Sequence, residues 1–460
     1  MALQSIKAKS PRKIVAPPRN GVIEQPRYAC GIGAMQSVSA IRRAIPVTHC
    51  GPGCAVKQTR GIAHINGYQG AGWAGSGSAP SSNLQEREVI FGGAERLQQL
   101  IDASLEIIDA DAYVVLTGCI PDLVGDDVAS VVSSFRKRGA PVVLADTGGF
   151  RTNNFVAHET VTKALIDQYV GDASAPTHTG LVNVWSLLPY QNTFWRGDLT
   201  ELKRLLEGVG LEANVLFGPA SRGLSEWKRI PQAQFNLVVS PWLGLATARH
   251  LEEKFGQPFL HIAELPVGGE ATSAFLREVG AYAGLSERKV EDFIAAEEEI
   301  YYHYIDGFAE LYAVSTSMLP AQFAIVGDSA YALGLTRFLS GQLGLIPARQ
   351  IVTDNPPFEH RPAIDAAFAR IDADRPVIPD YVEDGFAIQQ LLRETDYGHK
   401  PPLLYASGWE RALAKEIKAT LIQVASPTNG EVVLNRANIG YRGALTLIER
   451  TYSAIMSPVS

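Results

Sequence analysis

The feature that most constrains this chain is where its cysteines lie. There are four, Cys30, Cys50, Cys54 and Cys119, and the rest of the 460-residue chain has none. With an export signal, four cysteines could form two disulfides. The start, Met1 to Asn20, is basic and Pro-rich (Pro11, Pro17, Pro18) and lacks the apolar segment of a signal peptide. It reads as a flexible arm. No stretch approaches the about 20 apolar residues needed to span a bilayer, so a cytoplasmic location is expected. In that compartment clustered thiols are metal ligands, catalytic groups or buried side chains. The net charge is -7 and the one short basic run is Arg136-Lys137-Arg138. That triplet reads as the cationic last turn of a helix, which argues against nucleic-acid binding.

Short β-branched runs alternate with amphipathic segments. Val89 to Ile108 carries Leu97, Leu100, Ile101, Leu105 and Ile108 at helical spacing. Ala112 to Leu116 reads as a buried strand, Val124 to Arg138 as the next helix, and Pro141 to Ala145 as another strand. This is the repeating unit of a parallel sheet. The pattern restarts with strands at Leu181–Trp185, Ala213–Phe217 and Phe235–Ser240. After a long helical region, Ser286 to Leu319, it restarts again with strands at Phe323–Asp328, Ile346–Thr353, Leu403–Tyr405 and Thr420–Val424. The expectation is an α/β chain of three Rossmann-like domains with mainly parallel sheets: an arm over 1–20, then domains over 21–175, 176–320 and 321–460. Glycine and serine between Gly67 and Ser82 predict a long irregular loop.

Cys119 lies in Thr117-Gly118-Cys119-Ile120-Pro121-Asp122, directly after a strand and before a helix. Ligands of open parallel sheets bind beyond the carboxyl ends of strands, and a helix N-terminus favours a thiolate or an anionic cluster. A buried apolar cysteine at a strand end is the alternative. His49-Cys50-Gly51-Pro52-Gly53-Cys54 is more specific. Its glycines and proline make a constrained turn whose backbone N–H groups can meet sulfides or other anions. Thiolates suit iron–sulfur clusters and zinc, but the Cys-x2-Cys and His-x3-His spacings of zinc sites are absent. A disulfide or redox pair is the other reading. His49 is a ligand candidate or, more simply, a packed or capping residue. Cys30, followed by Gly31 and Gly33, is a weaker signal. Asp126-Asp127 reads as helix capping rather than as a metal site. Walker A, G-x-S-x-G and H-E-x-x-H segments are all missing, so any ATP would be bound by another subunit.

The cysteines, with His-x4-Cys at His49–Cys54 and Thr117-Gly118-Cys119-x5-Gly125-Asp126-Asp127, resemble the nitrogenase component-1 superfamily. So do Gly197-Asp198-Leu199, Gly327-Asp328 with Gly334-Leu335, and Asn438-Ile439-Gly440-Tyr441-Arg442-Gly443-Ala444. The resemblance implies that fold, and an iron–sulfur cluster of the P-cluster type, [8Fe-7S] or related. This chain would share it with a homologous α-like catalytic subunit in an α2β2 heterotetramer. It further implies Cys30, Cys54 and Cys119 as this chain's ligands, with the Cys54 sulfur bridging the cluster halves. The absence of cysteine after Cys119 implies a β-type, electron-relay subunit, because the α-type uses a further cysteine for its cofactor. The loop Asp146 to Thr152 lacks the serine that ligates the oxidised cluster in molybdenum nitrogenase, leaving Thr147 or Thr152 as substitutes. Cys50 is extra to the pattern and reads as a buried thiol or a spare ligand. Within the superfamily the chain looks most like the β-like subunit of methylthio-alkane reductases. These cleave C–S bonds reductively, with electrons from an ATP-dependent nitrogenase-reductase-like iron protein. Nitrogenase proper and a cofactor-assembly scaffold are the other readings.

Overall fold

A computed structural model describes residues 23–70, 72–73, 79–148, 150, 152–172, 175–315 and 319–456. The arm expected over 1–20 lies outside the described residues, as do parts of the Gly67–Ser82 loop. Among the described residues, twelve strands form three sheets. The first holds β1 (Ala44–His49), β2 (Ala112–Thr117) and β3 (Val142–Ala145), in that order. The second holds β4 (His178–Trp185), β5 (Glu212–Val215), β6 (Ala233–Val239) and β7 (Phe259–Ile262), in the order β5-β4-β6-β7. The third holds β8 (Gln322–Gly327), β9 (Ile346–Val352), β10 (Asp380–Tyr381), β11 (Leu403–Ala406) and β12 (Thr420–Gln423), in the order β10-β9-β8-β11-β12. Every pairing between these strands is parallel. The expected α/β class with parallel sheets is therefore the one found.

Strand alternation divides the first sheet between two cores. Ile45, Val47, Tyr113, Val115 and Val142 face the helices Ala94–Ile107 and Val128–Lys137, against Leu97, Ile101, Val132 and Phe135. Ala44, Val114, Leu116 and Val143 face the other way, into a core continuous with Val184 of the second sheet and Phe323 of the third. Both faces are covered, so these strands read as unbroken apolar runs.

Two expected helices are each split in two. The segment Val89 to Ile108 breaks after the helix Glu86–Phe91, at Gly92 with φ +90, and restarts at Ala94. Val89, Ile90 and Phe91 continued the apolar pattern but are exposed. The segment Val124 to Arg138 is interrupted because the helix Cys119–Val124 ends on left-handed Gly125, and Asp127 caps a new helix at Val128. Strands β7 and β10 were not anticipated. Phe259–Ile262 is only half-buried and β10 has two residues, so neither shows a strong apolar run.

The motif residues of the middle and C-terminal regions meet in one buried junction. Asp198 accepts hydrogen bonds from the backbone N–H groups of Asn438 (2.6 Å) and Ile439 (3.3 Å) and from the Tyr331 hydroxyl. A Cβ on Gly197 would stand 2.1 Å from the Arg436 carbonyl oxygen, so only glycine allows this approach. Burial pushes the Asp198 carboxyl up to about 7, against the pull of its three donors.

Replacing Asp198 by alanine should lower the unfolding midpoint by the equivalent of about 3 kcal/mol, since buried donors lose their acceptor. An unchanged midpoint would show that the junction carries no stability. The folded carboxyl titrates above the unfolded value of about 3.9, so the native state holds the extra proton between about pH 4 and 7. The stability of the native chain relative to Asp198→Asn should therefore fall as pH rises through that window. A rising or flat difference would refute the assignment.

Candidate functional site

The first sheet places the thiols. In the β1–β2 ladder His49 lies opposite Thr117, the last residue of each strand. Cys50 and Gly118 then follow side by side at the carboxyl edge, where the Gly118 N–H donates to the His49 carbonyl (2.9 Å). A Cβ on Gly118 would lie 2.7 Å from the Cys50 Cβ, so this close approach requires glycine. Cys54 sits in the first turn of the helix Pro52–His64, and Cys119 is the first residue of the helix Cys119–Val124. Helix starts leave backbone N–H groups free to meet anions.

Cys30 precedes every strand and is held by other means. It bridges to Asn153, and the Asn154 N–H donates to the Ala29 carbonyl (2.9 Å). Upstream, Arg27 forms a buried ion pair with Glu410 (2.6 Å), and the Tyr28 hydroxyl donates to Glu383. The segment before Cys30 is thus clamped to the region around the third sheet.

The four thiols divide by exposure. Cys30 is exposed, Cys54 and Cys119 are half-buried, and Cys50 is buried. Burial raises the Cys119 thiol, and nearby Cys30 and Cys54 raise it further, which places these three in one electrostatic neighbourhood. The Cys54 thiol is drawn down to about 6 by its hydrogen bond to Cys50, with help from the Gly51 N–H and the Lys57 charge. Cys50 is pushed the other way by the same pairing and by burial. Gln58, one turn after Cys54, donates its side-chain N–H to the Cys30 sulfur (3.9 Å). Among the described residues, no three His, Cys, Asp or Glu side chains converge where a single metal ion would sit.

A buried polar chain holds the His49–Cys54 turn. The two oxygens of Asp126 take the Gly93 N–H (2.7 Å) and His49 Nε2 (3.1 Å). His49 Nδ1 meets the Ser82 hydroxyl (3.0 Å), which also accepts from the Cys50 N–H (3.0 Å). Burial draws the His49 pKa down against the opposing pull of Asp126. His49 is therefore a packed residue. Asp127 caps its helix through the Ser130 N–H (3.0 Å), whereas Asp126 turns inward. The sequence reading missed the roles of Asp126, Ser82 and Gln58. Only Gln58 carries a signal, its helical i+4 spacing from Cys54.

The loop after β3 brings Thr147 and Thr152 close to Gly31, and Gly149 and Arg151 lie outside the described residues. Thr147 is buried, with its hydroxyl donated to the Thr117 carbonyl (2.8 Å). Thr152 donates to the Asn153 carbonyl (2.9 Å) and lines an open groove of about 1600 Å³ that also contains Cys30, Lys57, Arg60, Phe150, Phe358 and Trp409.

Residues 30–456 match the family described as nitrogenase component 1 type oxidoreductase. The chain belongs to that family. It is 26% identical over 384 residues to a subunit of light-independent protochlorophyllide reductase from Bradyrhizobium sp. (strain ORS 278), covering 82% of this chain and 70% of that one. It is 24% identical over 477 residues to the nitrogenase molybdenum-iron protein beta chain of Methanococcus maripaludis, covering 96% of each. The alpha chain of the same protein from Methanothermobacter thermautotrophicus is 24% identical over 386 residues, covering 82% of this chain and 75% of that one. The solved structure "Nitrogenase Cp1 at pH 6.5" superposes with TM-score 0.77 over 97% of this chain and 95% of its own, at 20% identity, which shows a shared fold. The chain is thus a β-type member of the superfamily and an oxidoreductase subunit. No helix among the described residues is long and apolar enough to cross a membrane.

In the cluster-free chain, iodoacetamide should label Cys54 fastest, with a rate that levels off above about pH 7, because its thiolate forms early. Cys50 should stay unlabelled. A Cys54 rate still climbing above about pH 8.5, the range of an ordinary thiol, would contradict this. Asp126→Ala should destabilise the chain by about 2 kcal/mol and open Cys50 to labelling. Retained protection of Cys50 would show that the polar chain does not hold the turn.

Proposed function

We propose that this chain is the β-like, electron-relay subunit of a nitrogenase-like reductase, and that Cys30, Cys54 and Cys119 hold its share of a P-cluster-type iron–sulfur cluster. The observation that carries this is the division of the thiols: Cys30, Cys54 and Cys119 reach the surface, with Cys30 and Cys54 near enough to Cys119 to act on its charge, while Cys50 is buried. Thiolates are the donors that iron–sulfur clusters take. Separate sulfurs spread over one face suit a cluster of several irons better than a single ion.

The bound cluster would store electrons and pass them on. The chain's own part is to hold and tune it. The Gln58 amide toward Cys30 supplies a hydrogen bond to a ligand sulfur, which influences potential. Exposed apolar side chains sit beside the thiols. Leu123 (72% exposed) lies on the Cys119 helix, Phe91 (82%) on the helix packed against it, and Phe150 (71%) and Phe358 (79%) in the Cys30 groove. Such a patch supports a protein partner here, in this reading the α-like catalytic subunit of an α2β2 complex. With no Walker A segment in this chain, an ATP-dependent iron protein would deliver the electrons, in the cytoplasm.

The reaction we propose is reductive C–S cleavage of a small methylthio compound, giving methanethiol and a hydrocarbon, with the catalytic cofactor in the α-like subunit. This reading rests on the resemblance to methylthio-alkane reductases. Reduction of protochlorophyllide or of dinitrogen is the second reading, favoured by the names of the relatives.

The copurified complex, supplied with its reductase and ATP, should form methanethiol from methylthio-ethanol and leave protochlorophyllide, acetylene and dinitrogen unreduced. Reduction of one of the latter three instead would transfer the chain to that reaction. Donation of its cluster to an apo-enzyme, without turnover, would make it a scaffold. Cys54→Ala should lose iron, sulfide and the cluster's EPR signal together, and full iron in that variant would overturn the ligand assignment.

A further inference from the structure

The helix Pro52–His64 has two faces. Ala55, Gln58 and Ile62 are buried on one side, and Lys57, Arg60 and His64, at helical i, i+3 and i+7, lie exposed on the opposite side. Two depressions flank this row. One is the open groove of about 1600 Å³, and the other, of about 440 Å³, is bounded by Ala79, Ser81 and Asn83. Val56, Arg60 and His64 line both.

Charge around the row is one-sided. Among the described residues no Asp or Glu lines either depression, in a chain whose net charge is -7. Arg27, also in the groove, is already paired with Glu410. Lys57, Arg60 and His64 form no ion pair among the described residues. Exposed arginines elsewhere do: Arg277 meets Glu291 (2.7 Å) and Arg393 meets Glu416 (2.8 Å). The like charges of Lys57 and Arg60, three residues apart, repel each other, and an anion on this face would relieve that repulsion.

Size decides the kind of anion. Small-molecule pockets hold about 300–1,000 Å³. The groove exceeds that range, is open, and carries exposed Val56, Ile65, Phe150 and Phe358 beside the cations. A polypeptide with acidic and apolar side chains matches it. The smaller depression has the small walls Ala55, Ala63 and Ala79, with Thr59, Ser81 and Asn83 as hydrogen-bonding groups beside Arg60. That combination suits a single carboxylate side chain.

We propose that the face bearing Lys57, Arg60 and His64 receives an acidic segment of the partner subunit, with apolar side chains against Phe150 and Phe358 and an Asp or Glu at Arg60. The proposal rests on this chain working beside a different subunit, and it adds the charge of the segment that docks. Charge across an interface steers encounter and excludes wrong partners. A second copy of this chain, paired through the same patch, would set cation against cation here.

The test treats the copurified complex with a carbodiimide, which joins an amine to a carboxylate in contact with it, and maps the crosslinks by mass spectrometry. Lys57 should be joined to an Asp or Glu of the partner subunit, and the crosslink should vanish in Lys57→Gln. Combined Lys57→Glu and Arg60→Glu should leave the unfolding midpoint of the isolated chain unchanged and weaken assembly by about tenfold. Salt should weaken the native complex more than this variant. Free acetylation of Lys57 in the assembled complex, with native assembly of the double variant, would overturn the proposal. So would stabilisation of the isolated chain by inorganic phosphate that Arg60→Gln abolishes while assembly stays native, which would make the face a small-anion site. Absence of a copurifying homologous subunit would instead overturn the reading beneath it.

Discussion

His49 faces Thr117 at the last rung of the β1–β2 ladder, and the arrangement of the thiols depends on that register. A shift of one residue along β1 would turn Ile45 and Val47 out of the core they share with Tyr113 and Val115. Burial on both faces therefore locks the register, and the locked register delivers Cys50 against Gly118. The chemistry-bearing turns need no special machinery. They arise wherever two buried parallel strands end together and the chain must leave the sheet.

Leaving the sheet exposes backbone groups that must find partners in a dry place. Asp126, His49 and Ser82 supply them in a row that ends on the Cys50 N–H. Glycines serve this arrangement by removing bulk. Gly93 lets the backbone reach Asp126, where a Cβ would stand 2.7 Å from the carboxylate oxygen, and Gly118 lets the two turns touch. The polar row and the glycines are one device: a rigid platform for sulfur atoms, assembled from groups that are not sulfur ligands.

Much of this was legible in the sequence. The apolar runs of β2 and β8 announced themselves, because strands buried on both sides carry few polar residues. The position of Cys119 after a strand was readable for the same reason. What was not readable came from long-range geometry. Asp126 looked like its neighbour Asp127, and only the fold shows that one caps a helix while the other reaches a histidine 77 positions away. The apolar run Val89-Ile90-Phe91 fits a buried helix face by spacing alone, because periodicity does not say whether the covering surface belongs to the same chain. Cys30 had no local signal beyond its glycines, since the contacts that hold it lie near Asn153 and Glu410.

Those contacts bear on how the molecule comes into being. The Glu24 N–H meets Asp384, Arg27 meets Glu410, and Ser426 donates to Asn66, pairings that join the beginning of the described chain to its end. Asp198 likewise waits for Asn438. A chain made from its N-terminus forward cannot close these contacts until nearly all of it has left the ribosome. The first sheet can form early, but the segment bearing Cys30 has nothing to dock on until the last sheet exists. The three surface thiols therefore take up their final arrangement late, in a finished polypeptide rather than in a growing one.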